Sequence, residues 1–137
     1  LKVEDQISAL RNIRSHLSER GIFIFDLYVP NPKIIADGIP EQLDFTGEYA
    51  PGRNIQRYVS AHSNIVEQIT YGKMKFVWDT KSGQIARVWN FTMRYFFRYE
   101  LEHLIELSGL KLVTVLGDFK GHRLNKNSTE FILICSR

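Results

Sequence analysis

The chain has 137 residues, 44% hydrophobic and 24% charged, with a net charge of +3. That is enough apolar sequence for one buried core, and it excludes a disordered tail. The surplus of 18 Lys and Arg over 15 Asp and Glu is too small to argue for nucleic acid or a membrane surface, so neither is expected as a partner. The single cysteine, Cys135, excludes an intrachain disulfide framework and fits a reducing, cytoplasmic compartment. No apolar run approaches the ~20 residues that span a bilayer, and no basic segment leads into an apolar stretch as in a signal peptide. The sequence opens on Leu1 inside a helical pattern, as one that starts partway through a larger protein does.

In chain order, Val3, Ile7, Leu10, Ile13 and Leu17 recur at spacings of three and four, which predicts an amphipathic helix over 3–20 closed by Gly21. Ile22-Phe23-Ile24-Phe25 is then a continuous apolar run, the pattern of a strand covered on both faces, as in a parallel sheet. Helix, glycine turn and buried strand read as the second half of a βαβ unit. Pro30, Pro32, Gly38 and Pro40 predict an irregular segment over 28–52, with a short helical piece near 33–37.

From Arg53 the period becomes two. Residues 53–97 read as an antiparallel meander of three or four strands, with a polar turn at 79–83. Its cleanest alternation is Trp89, Phe91, Met93, Tyr95 and Phe97, expected to share one face. If that face is buried, Phe91→Ala should cost roughly 3–5 kcal/mol. A second amphipathic helix follows over 98–108, ended by Gly109. Strands are then expected over 110–116 and 131–135, with a long polar connection between them. No repeat or linker divides the chain. A single domain over 1–137 is expected, made of a helix and strand (1–27), the meander (53–97) and a helix with two closing strands (98–137).

Candidate chemistry is sparse. No GxGxxG is present, and Gly47 and Gly52 have the spacing of a phosphate loop without its Lys and Ser or Thr. His16, His62, His103 and His122 match no ligand spacing and read as surface or loop residues, so no metal site is expected. Cys135 sits in an apolar strand, where a thiol is a small core residue. Arg94-Tyr95-Phe96-Phe97-Arg98 mixes cations with aromatics, as base-stacking segments do, but its alternation suits a sheet with one core face. Asn90-Phe91-Thr92 and Asn127-Ser128-Thr129 match glycosylation sequons only by chance in a chain without a secretory signal. Asp26 stands at the end of the apolar run, where α/β proteins collect functional side chains, and Tyr28 and Asn31 follow. Asp26 either faces a ligand or caps the loop through backbone N–H groups.

The order Leu17, Gly21-Ile22-Phe23-Ile24-Phe25-Asp26, Pro30-Asn31-Pro32 resembles the helix and fifth strand of class I S-adenosylmethionine-dependent methyltransferases. The later run Arg94–Leu101, then Leu104–Leu110, Leu116–Gly121 and Thr129–Cys135 is similar to the C-terminal half of the small-molecule branch of that superfamily. The resemblance implies a mixed α/β fold, a partial Rossmann-like methyltransferase sheet with an antiparallel β-meander insertion. It implies a small-molecule substrate, with Asp26, Tyr28, Asn31 and Tyr95 as substrate-side contacts. It names no catalytic residue. The family's cofactor loop and acidic partner lie in an N-terminal half this sequence lacks, so tight S-adenosylmethionine binding is not expected of the chain alone. The strand at 22–27 would have strand four on one side in that fold; without it, an open apolar edge is expected to pair in a homodimer. A β-rich binding module, its aromatic meander cupping an apolar ligand or a partner, is the other reading of the same residues.

Overall fold

The structure, a computed structural model, describes residues 2–137. Its elements in chain order are α1 (Val3–His16), β1 (Ile22–Tyr28), α2 (Pro32–Asp37), β2 (Ile39–Ala50), β3 (Arg53–Asn64), β4 (Ile69–Thr80), β5 (Gly83–Arg94), α3 (Arg98–Ser108), β6 (Lys111–Leu116) and β7 (Glu130–Ser136). This is the expected mixed α/β fold, with two antiparallel sheets. The backbone divides into two compact units: one runs up to Pro30 and resumes over Phe96–Arg137, and the other is Asn31–Tyr95.

The first unit holds the sheet β1-β7-β6, with β7 antiparallel to both neighbours. Its core is Leu101, Ile105, Leu110, Phe131, Leu133 and Cys135. Leu10 and Leu17 from the α1 segment, and Phe23, Phe25 and Leu27 from β1, pack against it. Helix α3 starts where the Glu100 carboxylate accepts the Phe97 N–H at 3.4 Å and ends on Gly109, whose φ of 82° and ψ of 4° are left-handed.

Two expectations for this unit are corrected. β1 is not enclosed on both faces. Phe23, Phe25 and Leu27 point into the core, while Ile22 and Ile24 are 54% and 56% exposed. α1 and α3 cover one side of this strand, and its pairing with β7 is antiparallel rather than parallel. Helix α1 stops at His16 rather than Arg20: Leu17 takes an extended conformation (ψ 135°), and the Gly21 N–H donates to Ser18 O at 2.9 Å in a separate turn.

The second unit is the meander β2-β3-β4-β5, each strand antiparallel to the next. The irregular segment expected over 28–52 is overturned from residue 39 on, because β2 is a twelve-residue strand. Pro40 and Gly47 are tolerated because β2 is an edge strand and its pairing with β3 shifts register three times.

Directly opposed residues share a face. Trp89, Phe91 and Met93 of β5 therefore lie with Met74, Gly72 and Thr70 of β4 and with Val59, Ala61 and Ser63 of β3. The five-residue face expected from alternation ends there. β5 stops at Arg94, opposite Ile69, the first residue of β4. Tyr95 is enclosed beyond the strand, at 2% exposure, and Phe97 precedes α3. Nor is the face buried, since Trp89 is 57% exposed.

Candidate functional site

The four residues expected at a substrate site have different surroundings. Asp26 and Tyr28 lie two apart on β1, opposite Ile132 and Glu130, so they share the face that also shows Ile22 and Ile24. Asp26 is inside the strand rather than at its end, and its side chain is exposed. Asn31 is the N-cap of α2. Its Oδ1 accepts the N–H of Lys33 at 3.0 Å and of Ile34 at 3.3 Å, as a capping side chain does. Tyr95 is enclosed, and its backbone N–H donates to Gln68 O at 3.0 Å. Asp26 and Tyr28 are thus brought together within the first unit; Asn31 and Tyr95 are the first and last residues of the second.

The second unit also forms an open cleft of about 390 Å³ between Ile35–Pro40 and Ala61–Ser63. It exists because β2 starts opposite Ala61, bringing the end of α2 over β3. Gly38, with φ of 71°, makes this approach possible: a Cβ there would stand 2.7 Å from Ala61 O. His62 borders the cleft and stacks on Tyr71 of β4, with ring centroids 5.1 Å apart and planes 17° apart. Ser63 and Thr70 share a hydroxyl hydrogen bond of 2.9 Å, and Asp37 pairs with Lys33 at 2.7 Å. Imidazole, hydroxyl and carboxylate groups here stand beside Ile35, Ile39 and Pro40, an arrangement that can seat a small polar molecule with an apolar side. His62 is exposed, as expected of a surface histidine, though the sequence does not mark it as a cleft residue. The only signal was its place in the alternation of β3; its neighbours come from the β2–β3 register.

Elsewhere the charged groups are mostly committed. The Arg57 guanidinium holds Asp44 below the usual carboxylate range through hydrogen bonds of 2.7–3.2 Å, and it also lies 5.5 Å from the centre of the Phe45 ring. Lys73 and Lys75 together lower the Glu41 carboxyl, with the hydrogen bond from Lys73 the larger cause. Burial pushes the Cys135 thiol up to about 11, so it is no nucleophile at neutral pH. No group of three His, Cys, Asp or Glu able to hold a metal occurs among the described residues.

The glycines do not fit a cradle for an adenosyl cofactor. Gly38 and Gly109 end helices, Gly52 and Gly83 lie at hairpin turns, and Gly121 turns the loop before β7. None joins a strand to a following helix, the place where backbone N–H groups meet such a ligand.

No protein-family model and no curated protein matches the sequence. Solved structures do match, and they define the fold as methyltransferase-like. An S-adenosylmethionine-dependent methyltransferase from Clostridium acetobutylicum superposes with a TM-score of 0.81 at 12% identity, over 98% of this chain and 52% of its own. The CcbJ methyltransferase from Streptomyces caelestis gives 0.70 at 20% identity, over 99% of this chain and 54% of its own. DesVI from Streptomyces venezuelae gives 0.70 at 18% identity, over 96% and 51%. The chain therefore spans about half the length of each of these structures. No described helix is long and apolar enough to cross a membrane.

Proposed function

We propose that this chain is the C-terminal portion of an S-adenosylmethionine-dependent methyltransferase acting on a small molecule, supplying a sheet edge and the substrate-side lid, and that alone it transfers no methyl group. The observation that carries this reading is coverage: nearly the whole chain superposes on about half of a methyltransferase at a TM-score of 0.81. The edge of β1 away from β7 supports it, because no described strand pairs there. The exposed Ile22 and Ile24 support it as well, as apolar side chains that a further layer would cover.

Methyl transfer asks mainly for in-line positioning of the sulfonium carbon and the accepting atom. Asp26 and Tyr28, side by side on the open face of β1, are the proposed substrate contacts. Asn31 fixes the turn into the lid through its cap, and Tyr95 anchors the lid's other end. The single buried thiol of Cys135 supports a reducing, cytoplasmic setting.

Calorimetric titration of the chain with S-adenosylmethionine tests the reading. No heat of binding in the micromolar range is expected, given the glycine geometry, and micromolar or tighter affinity would overturn it. The coding sequence upstream of Leu1 is a second readout: an in-frame strand followed by a glycine-rich turn supports the proposal, and a stop codon immediately before a start at this point sinks it.

A further inference from the structure

The strands of the meander are held unevenly. β3 with β4, and β4 with β5, pair residue by residue without a shift. The β2–β3 ladder shifts three times, and its register passes over Glu41 and Asp44. Leu43, Phe45 and Tyr49 of β2 stay nearly half exposed, and no residue of that strand is buried. Few buried apolar contacts and a solvent-exposed ladder put an element at the low-stability end of a fold.

Beyond its ladder, β2 is fastened by charge. The two carboxylates that the register skips each reach a cation on another strand. Asp44 accepts from Nε and Nη2 of Arg57 on β3, the shortest contact being 2.7 Å. Glu41 reaches past β3 to Lys73 at 3.0 Å and Lys75 at 3.5 Å on β4. All of these groups are partly exposed, where ion pairs are weak and salt screens them. A glycine in the left-handed region flanks the strand on each side, Gly38 with φ of 71° and Gly52 with φ of 70°. Such positions absorb large backbone rotations at little cost.

We infer that β2 is a strap that lifts from β3 as a unit, hinged at Gly38 and Gly52, while β3, β4 and β5 stay paired. Ile39 and Pro40 at its start belong to the wall of the cleft that faces Ala61–Ser63, so lifting the strap opens the cleft. β2 is thereby the gate of that site. The inference concerns the second unit alone and does not rest on the methyltransferase reading.

Residue-resolved amide hydrogen exchange of the full chain tests it. The N–H and C=O of a strand residue point toward the same neighbour, and the direction alternates along the strand. The Ala61 carbonyl meets Gly38, so Arg57, Val59 and Ala61 turn their amides toward β2, and Tyr58, Ser60 and His62 turn theirs toward β4. One strand therefore carries both the reporters and their control. Arg57, Val59 and Ala61 should share one protection factor, at least about tenfold below those of Tyr58, Ser60 and His62. Raising salt from about 0.01 M to about 1 M cuts the screening length from about 30 Å to about 3 Å and should widen the gap. Asp44→Asn should widen it at low salt. A disulfide joining Thr46→Cys to Gln56→Cys, directly opposed in the ladder, should close the gap, and reduction should restore it. The native Cys135 is fully buried and takes no part. Equal protection of the two sets at both salt concentrations would overturn the inference. So would a gradient in which Ala61 exchanges fast and Arg57 as slowly as Tyr58, since that is fraying from one end. A gap that survives the intact disulfide would also overturn it.

Discussion

The ring of Phe91 lies across Gly72 on the neighbouring strand, filling the space where a Cβ at that glycine would stand. The pair is directly opposed in the β4–β5 register, so the glycine gives the ring a flat seat and the ring covers the bare backbone.

Gly72→Ala should therefore cost about 1–3 kcal/mol by forcing the ring off its seat. Phe91→Ala should cost less than the ~3–5 kcal/mol of an enclosed aromatic, because the ring is only half-buried. The decisive measurement is the double variant under urea unfolding. With Phe91 already truncated, Gly72→Ala should cost almost nothing, since the group it displaces is gone. Simple additivity would show that the two residues do not interact.

Arg14 on α1 donates from Nε to Gly109 O at 2.8 Å, and Arg11 donates to Leu107 O at 3.3 Å. Both acceptors are carbonyls at the C-terminal end of α3, where cations are favoured and orphan oxygens need partners. Arg14→Ala should lower stability by about 1–2 kcal/mol, with Arg14→Lys recovering part of it. Urea midpoints of the three proteins decide this; a loss below about 0.3 kcal/mol, no more than a weak surface pair gives, would mean the contact does not stabilise the helix.

The loop before β7 is tied by Asp118. The His122 ring, donating from Nδ1 at 2.7 Å, is the main cause holding this carboxyl below its usual range. Desolvation opposes the shift, and the backbone N–H groups of His122 and Lys120 add to it. A lowered carboxyl stabilises the fold above its unfolded value of about 3.9 and loses that contribution as pH falls through the folded value. The Lys120 amide resonance, which donates to the Asp118 carboxylate at 2.9 Å, should therefore make its carboxylate-linked movement only below about pH 4. A midpoint at or above the ordinary carboxylate value would contradict the tie. Asp118→Asn should remove the acid transition.

Much of this fold is legible in the sequence where the signal is local. The strict alternation of β5 up to Met93, the helical spacing of Leu101, Leu104 and Ile105, and the apolar run of β7 each predict their element. β2 was not legible because Pro40 and Gly47 act as breakers in a chain, while at a sheet edge they are accommodated by shifts in register. The one-sided burial of β1 was hidden because Ile and Phe alternate with each other, so both parities are apolar and no period shows. The candidate cleft is illegible for a third reason: its two walls, 35–40 and 61–63, are more than twenty residues apart, and they meet through the β2–β3 register and the approach of Gly38 to Ala61.

The two sheets also differ in when a ribosome can complete them. The meander pairs each strand with the next one made, so its last partner, Arg94, is in hand with more than forty residues still to be synthesised. The other sheet must wait for its central strand: Ile22 pairs with Ser136, the next-to-last residue of the chain. During synthesis the apolar side chains of β1 stay without their β7 partners for more than a hundred residues, while the meander between them is already able to close. The step that closes this sheet therefore waits for β7, and a chain stalled between Arg94 and Glu130 would keep a paired meander beside an unfinished core.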